Sequence, residues 1–238
     1  MKIKKSSLFL ATTILFFGCC CWFAQYRYQQ KKPLKIEVSF SHTPQFLNEA
    51  VVNKLLTQKL GDESSLRKDS LDLNMLENHV NSTPEIENTE IFVRPEGTLS
   101  LLIKERQPLF KVVSNPPFFS DASGVLFAFK TLDSISYPEF HSPTPTLSME
   151  PTAALISTLK KDSFLSRELE SISLENNQYE LRLKSYDFQV VFGAPTRIQE
   201  KIKKLKVFCA FQNVQDSLGT TYQKINLSFK KQVVASTF

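Results

Sequence analysis

The strongest hydrophobic pattern in the chain is an uncharged, apolar run from Ser6 to Gln25. As a helix its twenty residues would reach about 30 Å, the thickness of a bilayer's hydrocarbon core. Its eight Leu, Ile and Phe side chains favour insertion into a bilayer by about 3 kcal/mol in total. Trp22, Tyr26 and Tyr28 follow where interfacial aromatic residues are expected. The pattern predicts one membrane-spanning helix over residues 6–25, with the lipid bilayer as its partner.

Two other interpretations of this run are less favourable. A cleaved signal peptide requires small residues before the cut, and Trp22-Phe23-Ala24 does not provide them. A lipoprotein site at Cys19 is disfavoured because two bulky phenylalanines precede Gly18. The consecutive cysteines 19–21 are interpreted as small, lipid-facing apolar residues. Basic residues flank both ends of the run, but a short basic tail before it is typical of a secretory signal. We therefore predict that the N-terminus lies inside the cell and the bulk of the chain outside.

A polar, basic stretch follows at residues 26–34. In Lys35–Phe40, apolar side chains then alternate with polar ones, and this period of two predicts a half-buried strand. A turn at 41–44 is then expected to start a helix, and apolar residues recur at helical spacing in two segments, which predicts two amphipathic helices. Two strands follow, Glu90–Val93 and Leu99–Ile103, joined by a turn that contains proline and glycine. The order β-α-α-β-β indicates an α+β module.

Short apolar segments separated by turns dominate the rest of the chain. Leu109–Val113 predicts a strand, and residues 118–126 predict a hairpin around an Asp-x-x-Gly turn. Asp121 is expected to bond its own backbone there, a role that we favour over that of a catalytic carboxylate. Residues 131–146 are rich in serine, proline and threonine and predict a surface loop.

Two helices accompany these strands. One helix is predicted to begin at Glu150-Pro151, because proline is favourable in the first turn of a helix. The other, from about residue 198, carries a narrow apolar stripe that ends at Cys209. Its lysines are assigned to a solvated outer face: Lys201, Lys203, Lys204 and Lys206. The second half is therefore expected to be a mainly antiparallel β domain with flanking helices.

Composition narrows the functional classes. The net charge is +5, but the basic residues are scattered, so we expect no nucleic-acid partner. Only six glycines argue against a glycine-rich phosphate-binding fold. The three histidines lie far apart, and Cys209 is the only cysteine outside the apolar run, so no metal, cofactor or disulfide is expected. No nucleophile–base pair has a recognisable context, which argues against an enzyme.

Several motifs resemble those of the FtsQ/DivIB family of bacterial cell-division proteins. Residues 103–108 are similar to the family's E-R-x-P junction, although Glu105 and Arg106 are interpreted energetically as a surface pair worth less than about 1 kcal/mol. The Asp-x-x-Gly hairpin matches a second family pattern. The C-terminal segment resembles the signature Y-x-x-h-D-L-R-Y-x-x-Q-V-V, with Asn226, Ser228 and Phe229 as departures from it.

The resemblance implies a bitopic inner-membrane protein without catalytic activity. It implies a cytoplasmic tail (1–5), the membrane helix, a periplasmic linker (26–34), a POTRA domain (35–106) and an FtsQ-type β domain (107–238). The implied partners are FtsB- and FtsL-like division proteins, with other divisome components on the POTRA domain. The implied mechanism is addition of a partner strand to the last strand of the sheet. By analogy with the family, that edge is formed by Phe229, Lys230, Lys231, Gln232, Val233, Val234, Ala235 and Ser236.

Two questions about this edge remain open in the sequence. Val233 and Ala235 point one way along a strand and Val234 and Ser236 the other, and either pair could face the partner. The lysines at 230 and 231 either attract acidic partner residues or protect the edge from self-association.

Two other functional classes fit the sequence less well than a division protein does. A POTRA-bearing component of secretion or outer-membrane assembly would usually carry a large β-barrel, which the remaining residues do not predict. A periplasmic enzyme acting on the cell wall would need a paired-carboxylate or nucleophile–base arrangement.

Overall fold

The computed structural model describes residues 5–29, 35–60, 72–128, 136–142, 148–215 and 222–237. Within these ranges the helices are α1 (Lys5–Gln29), α2 (Glu49–Leu60), α3 (Leu73–Asn81), α4 (Glu150–Lys160), α5 (Leu165–Glu168) and α6 (Ile198–Gln215). The strands there are β1 (Lys35–Phe40), β2 (Ile86–Val93), β3 (Thr98–Glu105), β4 (Phe110–Val112), β5 (Phe118–Ser120), β6 (Leu126–Ala128), β7 (Glu139–His141), β8 (Leu169–Glu175), β9 (Gln178–Leu183), β10 (Tyr186–Gly193), β11 (Lys224–Asn226) and β12 (Val234–Ser236).

The α1 helix contains the whole apolar run of the sequence. Its described side chains are exposed, among them Phe9 and Trp22. Over the described part of the chain, no helix combines the length and the apolar character that a membrane crossing needs.

The chain forms two compact units. The first comprises residues 1–39, 49–80 and 89–102, and the second comprises residues 40–48, 81–88 and 103–238. The predicted order β-α-α-β-β is confirmed by β1, α2, α3, β2 and β3. Their three strands form a sheet in the order β1-β3-β2. The fold is thus α+β, as predicted.

The two helices of this segment bury apolar side chains at helical spacing, although Val51, a member of the predicted stripe Leu47, Val51 and Leu55, is 41% exposed. Val52 and Leu56 of α2 and Leu76 and Val80 of α3 are fully buried. The α2 helix begins at Glu49, five residues after the predicted start at the turn 41–44. At the N-terminus of α3, the Asp72 carboxylate accepts the N–H of Met75 at 3.0 Å, which satisfies a donor that the first helical turn leaves open.

The second unit is built on a nine-stranded sheet in the order β12-β11-β10-β9-β8-β7-β4-β5-β6. Most neighbouring pairs are antiparallel, as predicted, whereas β4–β7, β7–β8 and β10–β11 are parallel. The prediction of a loop over residues 131–146 is wrong at β7, which lies between β4 and β8 and buries Phe140.

A hydrophobic core packs α4 and α6 against this sheet. The alternate residues of the strands carry polar cross-strand pairs, such as Lys111 with Glu139 at 2.9 Å and Lys224 with Glu180 at 2.9 Å. Alternation therefore gives the sheet one core-facing side, packed by the two helices, and one polar side.

One lysine of α6 contradicts its assignment to the solvated face. Lys201 is 2% exposed, and its Nζ donates to the carbonyl oxygens of Phe192 at 2.8 Å and Ala194 at 2.6 Å. The same ammonium group lies 4.7 Å from the centroid of the Phe192 ring. Two carbonyls and an aromatic face thus replace water around this charge.

Candidate functional site

The predicted docking strand lies at one end of the nine-stranded sheet. β12 spans three residues and is antiparallel to β11, with Lys224 opposite Ser236, Ile225 opposite Ala235 and Asn226 opposite Val234. Among the described strands, β11 is its one neighbour in the sheet. An edge strand has one side of its backbone without a ladder partner.

The direction of the backbone groups follows from the neighbouring strand. The N–H of Leu227 donates to the carbonyl of Val191 in β10, so this residue turns its backbone toward β10. Strand residues alternate in direction, so Ile225 faces β10 as well, and Lys224 and Asn226 face β12. Their register partners in β12 consequently face β11.

Ala235 lies between Val234 and Ser236, so its backbone groups point in the opposite direction to theirs. Its N–H and C=O are therefore directed away from β11, toward the open side of the edge. The backbone of Ala235 is the group in β12 that a new strand would meet first.

The side chains divide between the two sides of the edge. Val233 and Ala235 pack against the core of the second unit, whereas Val234 is 41% exposed and Ser236 is exposed. The first pair thus continues the core-facing side of the sheet, and the second pair is on the solvent side.

The other predicted edge residues precede the strand. Phe229, Lys230, Lys231 and Gln232 lie in an irregular segment between β11 and β12, and all four are exposed. The Nζ of Lys204 in α6 donates to the carbonyls of Phe229 at 2.8 Å and Lys230 at 2.6 Å. These bonds attach the segment to α6 while its lysine side chains remain in solvent.

Asn226 and Ser228, two of the positions that depart from the family signature, form hydrogen bonds beside the segment between β11 and β12. The amide of Ser228 donates to the Asn226 side chain at 2.9 Å, and the carbonyl of Ser228 accepts from Arg197 at 3.0 Å. Gly193 at the end of β10 has a positive φ of 72°, and a Cβ there would collide with the Ser228 hydroxyl. Asn226 and Ser228 thus support the turn through local hydrogen bonds without adding charge.

Lys201 joins α6 to the end of β10 close to this turn. Burial away from water, together with the charges of Arg197 and Lys204, lowers the pKa of Lys201. The lysine binds the carbonyls that flank Gly193, so it positions the strand end against which Ser228 packs.

Glu105 and the Arg106 side chain of the E-R-x-P junction are largely shielded from solvent, and their interpretation as a surface pair is wrong. Glu105 is 4% exposed and accepts the backbone N–H groups of Gln45 at 2.6 Å, Phe46 at 2.7 Å and Leu47 at 2.7 Å. A carboxylate that receives several backbone amides is held by charge-assisted hydrogen bonds. Glu105 thereby fixes an irregular segment that carries the buried ring of Phe46.

Arg106 has a different set of partners. Its Nη1 lies 2.5 Å from the Asp121 carboxylate, with side-chain exposures of 12% and 8%. It also donates to the carbonyls of Pro84 at 2.8 Å and Ile86 at 2.9 Å. Asp121 makes the predicted turn as well, since it accepts the N–H groups of Ser123 and Val125. One buried ion pair therefore links the junction, through Arg106, to the hairpin, through Asp121.

His141 and Cys209 are two of the described chemically reactive side chains outside β12. His141 lines a shallow cleft of about 380 Å³ together with Glu175 and Asn176. Within the described residues, no three His, Cys, Asp or Glu side chains converge as metal ligands would. Cys209 is buried, and that burial raises the pKa of its thiol to about 11. A thiol with such a pKa is a poor nucleophile at neutral pH.

Comparison with known protein families gives a match to the half of the chain that contains the docking edge. A search among curated proteins found no match. The family model "FtsQ/DivIB, C-terminal related" matches residues 107–236, which is just over half of the chain and includes the hairpin, the nine-stranded sheet and the edge strand. The chain therefore belongs to the FtsQ/DivIB family, whose members act in bacterial cell division.

Proposed function

We propose that this protein is a non-catalytic, single-pass scaffold of the bacterial division machinery. The apolar run at 6–25 is its anchor in the cytoplasmic membrane, with the N-terminal tail inside and the bulk of the chain in the periplasm. The lack of charge in that run and the membership of the FtsQ/DivIB family support this placement.

The mechanism that we propose is strand addition at β12. A segment of an FtsB- or FtsL-like partner pairs with the backbone of Ala235, and main-chain hydrogen bonds supply affinity while side chains supply selectivity. The observation that carries this proposal is the position of β12 at the end of the sheet, where no second described strand pairs with it. The module at 35–106 is proposed to be a POTRA domain that docks other divisome components, on the basis of its β-α-α-β-β order.

Proline substitution at Ala235 tests the mechanism. Proline removes the N–H that faces the open edge, and edge strands tolerate proline at such a position. Ala235→Ser is the matched control because it keeps that N–H and a small side chain. The full chain, reconstituted in lipid nanodiscs, is titrated with a fluorescent peptide of the FtsB-like partner.

We expect Ala235→Pro to weaken binding at least about tenfold and Ala235→Ser to change it less than about twofold. Equal binding by both variants would rule out strand addition at this residue. At the cellular level, depletion should give filamentous cells. Accumulation of outer-membrane precursors instead would favour the assembly class over the division class.

A further inference from the structure

The three-stranded sheet has two edge strands, β1 and β2, and they differ in how well they are sealed. In β2, the Glu77 carboxylate of α3 accepts the backbone N–H of Ile91 at 2.8 Å, and the Ile91 side chain is 5% exposed. In β1, by contrast, the apolar side chains of Ile36 and Val38 are only half-buried. Among the described residues, no side chain caps the backbone of β1 as Glu77 caps that of β2. The open edge of this sheet is therefore β1.

The direction of the β1 backbone follows from the residue after the strand. The N–H of Ser41 donates to the carbonyl of Ile103 in β3 at 2.9 Å. Because backbone direction alternates along a strand, residues 35, 37 and 39 face β3 as well, and the N–H and C=O groups of Ile36 and Val38 face away from it. These two outward residues offer about four main-chain hydrogen bonds to an added strand.

The charges of β1 are complementary to those of a second β1 strand. Lys35 and Glu37 are both exposed and, being two residues apart, lie on one face of the strand. If two copies pair antiparallel with Ile36 opposite Ile36, each Lys35 lies opposite Glu37 of the other copy. The neighbouring registers place Lys35 opposite Lys35 or Glu37 opposite Glu37, and like charges directly opposite each other are destabilising. The charges thus select one register for self-pairing.

Glu37 is already oriented for this contact. Its Oε2 lies 3.0 Å from Nη1 of Arg94, and the two side chains are 50% and 44% exposed. The pair holds the carboxylate on the outer face of the sheet and leaves Oε1 for a second cation.

We propose that β1 is the interface of a homodimer in which the β1 strands of two copies of this chain pair antiparallel, with Ile36 at the two-fold axis. The two three-stranded sheets then form one six-stranded sheet, and each half-buried Ile36 is covered by Ile36 of the second copy. This interface goes beyond the proposed function, since it uses neither β12 nor the partner proposed for it.

Self-complementarity favours a second copy over an unrelated partner strand. A two-fold contact requires that one surface match itself, and β1 meets this requirement both in its charges and in its apolar residue at the axis. Proline and lysine are two residues that protect strand edges from pairing. β1 contains no proline, and its one lysine, Lys35, receives an acidic partner in this register.

Disulfides that depend on the register test the interface. In every variant of the full chain the cysteines at 19–21 are replaced by serine, which leaves the buried Cys209 as the native thiol. In the proposed dimer, residue 35 of one copy and residue 37 of the other form a non-hydrogen-bonded pair with Cα atoms about 4.5 Å apart, which a disulfide can bridge. The two copies of residue 35 are about 7–8 Å apart, which is too far.

We expect Lys35→Cys and Glu37→Cys chains, reconstituted together in phosphatidylcholine liposomes and mildly oxidised, to form at least about fivefold more disulfide-linked dimer than either variant alone. Equal yields from the mixture and from the single variants, or no linked dimer in the mixture, would overturn the proposal.

Charge reversal measures the affinity of the same contact. Energy transfer between donor- and acceptor-tagged full chains in liposomes, followed as lipid is added, gives the dissociation constant of the dimer. We expect Lys35→Glu and Glu37→Lys each to weaken the dimer at least about fivefold, because each turns two opposite-charge pairs into like-charge pairs. The chain with both reversals should return to within about twofold, although it still lacks the contact of Glu37 with Arg94. Lys54→Glu, at an exposed lysine of α2, is the matched control and should have less than about a twofold effect.

The backbone is tested by Ile36→Pro, which removes the outward N–H at the axis and should abolish the dimer, whereas Ile36→Val should retain it. A chain that stays monomeric, a double reversal that restores nothing, or a dimer that survives Ile36→Pro would each refute the proposal. The last result would assign self-association to another surface. Ala235→Pro should leave the dimer unchanged, so failure of this interface and failure of strand addition at β12 are distinguishable.

Discussion

Replacing Arg106 by methionine is expected to remove about 3–5 kcal/mol from the free energy of unfolding, because it leaves a buried carboxylate without its charged partner. The structure sets this magnitude. The Nη1 of Arg106 lies 2.5 Å from Asp121, and the two side chains are 12% and 8% exposed. Two further bonds to backbone carbonyls, Pro84 O and Ile86 O, disappear with the guanidinium.

A double-mutant cycle isolates the ion pair from these other contacts. Asp121→Asn removes the charge but keeps an oxygen for the turn, and the combined variant completes the cycle. We expect a coupling energy of about 2 kcal/mol or more. Lys104 and Glu87 form the matched control, since their 2.6 Å pair lies in the same unit, is 47% and 38% exposed and should couple by less than about 1 kcal/mol.

Urea denaturation of the full chain, followed by labelling of the buried Cys209 thiol, provides the assay. Cys19, Cys20 and Cys21 are replaced by serine in every variant so that one thiol reports unfolding of the second unit. A coupling energy below about 0.5 kcal/mol, or one equal to that of the exposed control pair, would refute the conclusion that Arg106 and Asp121 form a buried, stabilising pair.

Two further predictions concern buried ionisable groups of α6. The pKa of Cys209 is raised from 9.0 to about 11 in the folded protein, so the folded state holds this proton more tightly than the unfolded chain does. The free energy of unfolding should therefore fall as the pH rises from about 9 to about 11, and Cys209→Ala should lose that part of the slope in urea titrations at each pH. Lys201→Met should destabilise the fold by about 1–3 kcal/mol because the carbonyls of Phe192 and Ala194 lose their donor. Since burial lowers the pKa of Lys201, the wild type should gain stability over this variant as the pH rises toward about 10.5, and an unchanged difference would contradict the assigned contacts.

The elements with strong local signals could be predicted from the sequence. The order β-α-α-β-β follows from apolar periodicity at 35–103, and the hairpin at 118–128 follows from its Asp-x-x-Gly turn. The sequence also predicts that Asp121 stabilises the turn, because its carboxylate accepts the backbone N–H groups of nearby residues, Ser123 and Val125. Local hydrogen bonds and periodicity are properties that neighbouring residues specify.

The strand β7 depends on distant residues instead. Its three residues include one buried side chain, Phe140, and follow a proline within a segment rich in serine and threonine. The pairing comes from β4 on one side and β8 on the other, about thirty residues away in either direction. Composition alone therefore indicates a loop where the sheet has an inner strand.

Buried charges were the main error at the candidate site. The sequence places Glu105, Arg106 and Lys201 in solvent, because charged side chains are seldom buried without partners. The partners of Glu105 are amides 58 to 60 residues earlier in the chain, and no sequence period connects them. The one available signal was their occurrence in or beside family motifs.

The small size of β12 has a consequence for which groups discriminate between partners. A strand of three residues presents few outward main-chain groups, and a hydrogen bond contributes about 0.5–1.5 kcal/mol net. Micromolar recognition requires about 8 kcal/mol, so most of the discrimination must reside in side chains around the strand. Those side chains are solvent-facing and can be exchanged with little cost to the core. Phe229 and Val234, which are 46% and 41% exposed, are side chains of this kind.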